Sequence, residues 1–255
     1  MQVKESDIVL DPTRKSGHWY QVKGYGIVPS VTTIIGATLP KAALAAWGKR
    51  VALDSIRSAL LERPLDVDTV TPWPAYVESI ITEASARPDK IRDDAANFGT
   101  RAHAYISDWI NGYARPVQKD LEPCLKGFKD WVKGNDVSID RSEVRLFSAK
   151  LKCAGSADLI GRRSAKRFVG DIKTSKGIWL DHKYQVGGGY APMWDEMFGD
   201  EHGRIDEAWI IRLPKTEDDP VKFEAKKIKS LTAAKEGFRL LRRMFDLNKG
   251  QHFSK

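Results

Sequence analysis

The spacing of hydrophobic positions differs between the two halves of the chain. From Ile91 to Asn111 apolar residues recur at spacings of three and four, which predicts a long amphipathic helix. The same criterion predicts helices over 40–61 and 118–133, and a final amphipathic helix that begins near Ser230. The first half is therefore expected to be mostly helical.

Short runs of β-branched and aromatic residues predict the strands. Residues 18–35 indicate a hairpin or short strands, and the proline-rich stretch 63–74 indicates a connection. Further strands are predicted in the runs SEVRLF, GSADLIGRR, KRFVGDIKT, DEAWIIRLP and VKFEAKKI, with a helix over 181–198 between the third and fourth of them.

From residue 137 onward the predicted elements follow in the order β-β-β-α-β-β-α. This order predicts an α/β fold of α+β character, with a central mixed β-sheet flanked by helices. We expect residues 1–90 to form N-terminal strands and a helical elaboration, and residues 91–255 to form the core. The two segments are expected to join in one continuous globular unit.

Composition narrows the class of protein. No apolar run approaches 18 residues, which predicts that nothing spans a membrane. The first residues lack the apolar core of a signal peptide, so a cytoplasmic protein is expected. Cys124 and Cys153 are the two cysteines. They are predicted to be buried thiols, and two are too few for a four-cysteine zinc or iron–sulfur site.

The charge of the chain favours a polyanionic partner. The formal net charge is +8 and the sequence pI is near 9.3, values that are also found in proteins without nucleic-acid partners. Basic residues gather between 150 and 167, where Arg162 and Arg163 lie, and again between 226 and 229. The composition suggests a nucleic acid and does not establish one.

An acidic and a basic residue stand two positions apart in the stretch FVGDIKTSKG. Asp171 and Lys173 must share one face of a strand, because side chains alternate along it. If GSADLIG and FVGDIKT pair as a hairpin, the numbers of opposite residues sum to 327 or 329. Either register places Asp158 on the same face. A solvated surface ion pair is the alternative explanation for a lone Asp-x-Lys.

Two carboxylates this close repel each other and need a compensating cation. Hard oxygen ligands in small number suit Mg²⁺ or Mn²⁺, which accept further oxygens from a phosphate. The neighbouring Lys173 can orient or deprotonate an attacking water, or neutralise charge on phosphate oxygens. The surrounding basic residues offer contacts to a nucleic-acid backbone. The residues alone therefore indicate a candidate site for phosphodiester hydrolysis.

Several motifs occur in one order along the chain: VPSVTTII with PKAALAAWGKR, FGTRAH, SEVRLF, GSADLIG with VGDIKT, and HKYQVGGGY. Together they resemble the RecB-like exonuclease branch of the PD-(D/E)xK nuclease superfamily, including phage-encoded and mitochondrial single-strand exonucleases. The resemblance runs from about residue 18 to 198 and implies a restriction-endonuclease-like core. In that branch three residues usually separate the Gln and Tyr of the last motif, whereas four separate Gln185 from Tyr190.

The resemblance implies roles for particular residues. The residues expected to carry catalysis are Lys173, Asp171, Asp158, Glu143 and Gln185. The expected metal ligands are His103, Asp158, Asp171 and the carbonyl of Ile172. The expected nucleic-acid contacts are Arg162, Arg163, Lys176 and Tyr190.

Three of these assignments have alternatives. His103 is either a metal ligand or a core or surface histidine, and Glu143 acts in the site or is an exposed strand residue. Gln185 is expected to orient Lys173 or the scissile phosphate. The glycines 187–189 either permit a close backbone approach or loosen the start of a helix.

The resulting hypothesis is a DNA exonuclease that depends on Mg²⁺ (or Mn²⁺) and has no iron–sulfur cluster. It would act on single-stranded DNA or DNA with free ends, in phage or bacterial recombination or repair. A structure-specific or restriction-type endonuclease on the same core is one alternative. A catalytically silent DNA-binding subunit is another, although His103, Asp158, Asp171 and Lys173 are all present.

Overall fold

The computed structural model describes residues 3–14, 16–62, 73–113, 116–216, 218–219 and 222–249. A three-stranded antiparallel sheet near the N-terminus consists of β1 (Ile8–Asp11), β2 (Trp19–Val22) and β3 (Gly26–Pro29). A five-stranded sheet consists of β4 (Val137–Ser148), β5 (Cys153–Arg163), β6 (Lys166–Lys173), β7 (Glu207–Arg212) and β8 (Glu224–Lys227).

The helices form most of the first half of the chain and also occur between and after the strands of the larger sheet. In the described residues they are α1 (Val31–Thr38), α2 (Ala42–Glu62), α3 (Trp73–Ile110), α4 (Glu122–Gly134), α5 (Leu180–Lys183), α6 (Ala191–Met197), α7 (Gly199–His202) and α8 (Leu231–Lys249). A seven-residue π-helix, Tyr184–Tyr190, joins α5 to α6. Two short 3₁₀ turns, Glu5–Asp7 and Lys119–Leu121, complete the set.

The larger sheet is mixed, with strand order β4-β5-β6-β7-β8. Only β6 and β7 run parallel, and the other neighbours are antiparallel. Strand β6 therefore lies at the centre of the sheet, where both of its edges are paired. The expectation of an α/β fold with a central mixed sheet flanked by helices is confirmed.

The register of the β5–β6 hairpin is one of the two predicted from sequence. Leu159 lies opposite Gly170 and Arg163 opposite Lys166, so that paired numbers sum to 329. Ser164, in the two-residue turn, has the positive φ of 54° that tight hairpin turns require. This register brings Asp158 to the face that carries Asp171.

One predicted strand segment is a helix. The sequence indicates strand character through residue 35, but the chain leaves β3 at Pro29 and enters α1 at Val31. The Ser30 hydroxyl accepts a hydrogen bond at 2.9 Å from the amide of Thr33, which caps the helix. This cap and the burial of Val31 and Ile34 outweigh the strand preference of β-branched residues.

The long helix begins earlier than its apolar spacing predicts. It starts at Trp73 rather than Ile91 and continues through Pro88. Buried Ile80 and Ala84 anchor this extra length, and the Tyr76 hydroxyl donates to the carbonyl of Ala59 in α2. Of the predicted connection over 63–74, residues 63–72 lie outside the described residues.

Backbone contacts divide the chain into two compact units. One unit comprises Met1–Leu39 with Gly99–Lys255, and the other comprises Pro40–Phe98. The N-terminal strands thus belong to the same unit as the larger sheet. The second unit is helical and consists of α2 and the first part of α3.

The core of the sheet-containing unit covers both faces of the larger sheet. On one face Val169 packs in a cluster with Val186 and Phe238, from the π-helix and α8. On the other face Phe168 meets Trp131 of α4 edge-on, with ring centroids 6.2 Å apart. No helix among the described residues is long and apolar enough to cross a membrane.

Both cysteines are buried thiols, as the sequence predicts. The Cys124 thiol donates a hydrogen bond at 2.8 Å to the carbonyl of Pro214. Burial raises the pKa of Cys124 and of Cys153 to about 12, so both remain protonated at neutral pH.

The three successive glycines of the π-helix permit a close helix–helix approach. A Cβ on Gly188 would lie 2.5 Å from the carbonyl oxygen of Ala234 and 2.6 Å from the Cβ of Phe238, both in α8. A Cβ on Gly189 would lie 2.7 Å from the side chain of Val31 in α1. The π-helix is thereby packed tightly against two helices.

Replacing Gly188 by Ala is expected to destabilise the protein by about 1–3 kcal/mol, because α8 must move to admit the methyl group. Gly36→Ala is the matched control. It lies in α1 with no atom within 4 Å of an added Cβ, so it should stabilise by about 0.5–1 kcal/mol. Urea unfolding of both variants measures the two changes, and equal effects would contradict the packing described.

Candidate active site

The C-terminal end of β6 brings an acidic and a basic side chain into contact. Asp171 and Lys173 lie on the face that also carries Val169, and Lys173 Nζ is 2.5 Å from Asp171 Oδ2. Strand alternation dictates this pairing, because residues two apart point the same way. Gln185, in the helical segment that begins at Leu180, contacts Asp171 near the end of this strand.

Asp158 connects β5 to the same strand end. The backbone pairing of β5 with β6 ends at Leu159 and Gly170. Past this point the Asp158 carboxylate, rather than a backbone carbonyl, accepts a hydrogen bond from β6. Its Oδ2 accepts a hydrogen bond at 2.6 Å from the amide of Ile172. Its Oδ1 lies 3.5 Å from His103 Nδ1 in α3. The expected carbonyl ligand from Ile172 stays a prediction.

Glu143 lies on β4 at the level of Asp158. The pairs Ser142–Leu159 and Val144–Ala157 enclose it, and its Oε1 is 3.7 Å from His103 Nδ1. Ligand atoms of His103, Glu143 and Asp158 lie within 4.8 Å of one another. The structure thus brings together the predicted histidine and two of the predicted carboxylates.

The backbone of Glu143 is strained. Its φ is +52°, whereas the other non-glycine residues with positive φ in the described chain lie in turns: Asp136, Lys152 and Ser164. A left-handed conformation costs an ordinary residue about 1–2 kcal/mol. Strain held inside a strand is found at functional sites, where surrounding structure maintains it.

Asp171 is the most buried charge of the cluster, with 1% of the residue exposed. Gln185 Nε2 donates to its Oδ1 at 2.9 Å, while Oδ2 makes no hydrogen bond beyond its ion pair with Lys173. The predicted partner of Gln185 was Lys173 or a phosphate. The structure shows that Gln185 holds the carboxylate that contacts Lys173.

The π-helix accounts for the unusual spacing of Gln185 and Tyr190. Residues five apart come together in a helix whose hydrogen bonds run from i to i+5. Gln185 Nε2 accordingly lies 2.9 Å from the Tyr190 hydroxyl oxygen and donates to it. Tyr190 is 4% exposed, so it supports Gln185 from inside the protein rather than presenting its ring at the surface.

The electrostatics of the cluster follow from burial and from close opposite charges. Burial raises the pKa of Asp171 to about 6, while Lys173 opposes the shift and Asp158 adds to it. Burial would lower the pKa of Lys173, but Asp171 and Asp158 raise it, with a smaller contribution from Asp181. Lys173 is therefore an ammonium at neutral pH.

His103 and Asp158 form the second half of this network. Burial by itself lowers the pKa of His103, but Asp158 and Glu143 outweigh it and raise that pKa to about 11. Burial would raise the pKa of Asp158, and the charges of His103 and Lys173 instead lower it. Two cations thus balance the crowded carboxylates when no metal is bound.

Two predicted nucleic-acid contacts lie away from this cluster. Arg162 and Arg163 are at the turn end of the β5–β6 hairpin, where Arg163 stacks over Trp209 at 5.3 Å. Asp171 lies five positions beyond Lys166, or about 17 Å along the strand. Lys176, by contrast, is exposed three residues after Lys173.

Sequence reasoning missed two neighbours of the cluster. The Ser156 hydroxyl donates to Glu143 Oε2 at 3.3 Å, and strand alternation from Asp158 would have found it. Asp181 acts on Lys173 through its charge, but no periodicity links α5 to the strand before it.

Comparisons with known proteins leave the family of the chain open. No protein-family model matches it, and no curated protein matches it. Among solved structures, the crystal structure of SSO0001 aligns with this chain at 16% sequence identity and a TM-score of 0.35. The alignment covers 80% of this chain and 86% of the SSO0001 chain. A similarity this low carries no argument about fold or function.

The strain at Glu143 predicts an unusual response to glycine. Glu143→Gly should leave the free energy of unfolding unchanged or raise it by up to about 1 kcal/mol, because relief of strain offsets the added chain entropy. Ser138→Gly, an exposed position with ordinary φ on the same strand, should lose about 0.5–1 kcal/mol. Denaturant unfolding compares the variants with Glu143→Ala, which loses the same contacts to His103 and Ser156 but keeps the backbone restriction, and a glycine variant less stable than the alanine variant would show that the backbone is unstrained.

Proposed function

We propose that the protein is a metal-dependent deoxyribonuclease, an exonuclease that hydrolyses phosphodiester bonds in DNA recombination or repair. The observation that carries the proposal is the convergence of Asp158, Asp171 and Lys173 at one strand end, with His103 and Glu143 beside them. The resemblance of the motifs to RecB-like exonucleases selects this chemistry among those that a carboxylate–lysine cluster can perform.

The donor set fits Mg²⁺ or Mn²⁺. Carboxylate oxygens and one imidazole nitrogen are ligands that suit these ions, and no thiol lies among them. Asp171 Oδ2 is buried and faces a cation, the Lys173 ammonium at 2.5 Å, so this oxygen already lies in an environment that suits positive charge. His103, Asp158 and Asp171 would hold the ion, with Glu143 on the exposed side of the cluster. When bound, the ion would neutralise phosphate charge and lower the pKa of a water ligand.

The side chains of the chain have distinct roles in this proposal. Lys173 is partly exposed, so its ammonium can donate hydrogen bonds to an attacking water and to a phosphate oxygen. Gln185 fixes Asp171 through Oδ1 and leaves Oδ2 toward Lys173. Asp158 holds the backbone of Ile172, which sets the position of both neighbours. The water gives up a proton to solvent as its oxygen bonds to phosphorus, the bond between phosphorus and the leaving oxygen breaks, and that oxygen takes up a proton.

Removal of the ammonium should stop the reaction. Lys173→Ala is expected to lower DNA hydrolysis by about 10²-fold or more while the protein stays folded. Lys166→Ala, at the other end of the same strand, is the control and should cleave at the wild-type rate. The assay uses end-labelled linear and circular DNA, single- and double-stranded, with Mg²⁺ or with EDTA.

The same assay separates the alternatives. Cleavage of circular DNA would identify an endonuclease, and binding without cleavage by the wild type would identify a silent subunit. Wild-type cleavage by Lys173→Ala would overturn the site.

A second prediction concerns the metal. His103→Ala should weaken Mn²⁺ binding by about tenfold or more and reduce the preference for Mn²⁺ over Mg²⁺, because an imidazole favours Mn²⁺ more than a carboxylate does. His202→Ala, an exposed histidine on α7, is the control. Calorimetric titration measures both affinities. Unchanged binding with a large drop in Tm would show that His103 is structural.

A further inference from the structure

An exposed aromatic side chain follows Lys173 along the chain. Six residues connect the end of β6 to α5, and the last of them is Trp179, which is 59% exposed. Leu180 beside it is 62% exposed. A tryptophan with this much free surface leaves apolar area in water that burial against a ligand would remove.

The indole of Trp179 is largely exposed, but part of the ring rests against the protein. A Cβ on Gly177 would lie 3.2 Å from the indole, which shows that the ring rests against the backbone of that glycine. The Trp179 amide donates to His182 Nδ1 at 3.2 Å. One flank of the ring is thus fixed by the protein, so little conformational freedom is lost when the other meets a ligand.

The backbone beneath the ring is itself tied to the sheet. Arg212, opposite Lys173 on β7, donates from Nε to the carbonyl of Ser175 at 2.9 Å. The Ser175 hydroxyl in turn donates to the carbonyl of Gly177 at 2.8 Å. A chain of hydrogen bonds therefore connects the level of Lys173 to the residue that supports Trp179.

Two lysines, Lys176 and Lys215, supply positive charge near this segment that suits a polyanion. Lys176 is exposed within the connection, and its charge acts on Lys215 after β7. On the other side, Asp181 of α5 lies close enough to act on Lys173. The connection that carries the indole therefore begins directly after Lys173, the proposed position of the scissile phosphate, and contains an exposed cation.

We infer that Trp179 is a stacking platform for an unpaired base of the DNA whose scissile phosphate lies at Lys173. This inference rests on the proposed function. An aromatic ring stacks on any base that offers a free face, whereas bases inside a duplex are stacked on each other. Trp179 would therefore bind the single-stranded part of a substrate without preference for sequence.

The test measures DNA binding without catalysis. A fluorescein-labelled dT₁₂ oligonucleotide and a blunt duplex hairpin are titrated with protein in EDTA, and anisotropy gives each Kd. Trp179→Ala should weaken dT₁₂ binding by about tenfold or more. Trp179→Phe should retain most of the affinity, and Leu180→Ala, equally exposed but not aromatic, should bind as the wild type does. Duplex binding should be unchanged in all three variants.

Salt dependence gives an independent readout. Stacking releases no counterions, so Trp179→Ala should keep the wild-type slope of log Kd against log salt concentration. Lys176→Ala should reduce that slope by about 0.7 if its ammonium meets a phosphate.

The outcomes separate the inference from the proposed function. If the wild type binds dT₁₂ and Trp179→Ala binds it equally well, the platform is wrong while the nuclease proposal stands. If Leu180→Ala loses as much affinity as Trp179→Ala and Phe does not rescue, the surface is a general apolar patch and the inference fails. If the wild type neither binds nor cleaves DNA, the proposed function fails, and the platform fails with it.

Discussion

The buried carboxylate of Asp171 is the constraint on which the site depends. An isolated charge at this depth is costly, and two carboxylates side by side are costlier still. The protein surrounds Asp171 with the ammonium of Lys173 and the amide of Gln185, and balances Asp158 with His103. Each partner comes from a different element, so the sheet, α3 and the π-helix must all be in place for the cluster to form. The position of β6 at the centre of the sheet supplies the rigid support.

The helical segment after β6 carries the adaptation that keeps this cluster intact. Four residues lie between Gln185 and Tyr190, one more than the usual three. On an α-helix, where neighbouring side chains are three or four positions apart, this spacing would turn the two side chains away from each other. The π-helix restores their contact, and its glycines let α8 and α1 pack closely against it. The length of the motif therefore keeps Gln185 in contact with Tyr190, and the glycines inside it allow the neighbouring helices to pack closely. Polar support for Asp171 and close helix packing depend on the same seven residues.

Much of the fold and of the candidate site follows from sequence, because strand periodicity is a strong local rule. Strand alternation placed Asp171 and Lys173 on one face, and the predicted register of the β5–β6 hairpin placed Asp158 on the same face. The observed register agrees. Local rules did not predict α1, where one serine cap redirects β-branched residues, or the start of α3 before Pro88. They also missed Asp181, whose proximity to Lys173 depends on how a connection folds back, and the strain at Glu143, which only the backbone shows.

The central claim is that these side chains form one metal-binding active site, and the position of a bound ion tests it most directly. Crystals grown with Mn²⁺ and measured at the manganese absorption edge would locate the ion by anomalous scattering. We expect a peak in contact with Asp158, Asp171 and His103, and its loss in Asp171→Ala. A manganese peak elsewhere in the chain, or none at this cluster under conditions that support DNA cleavage, would contradict it.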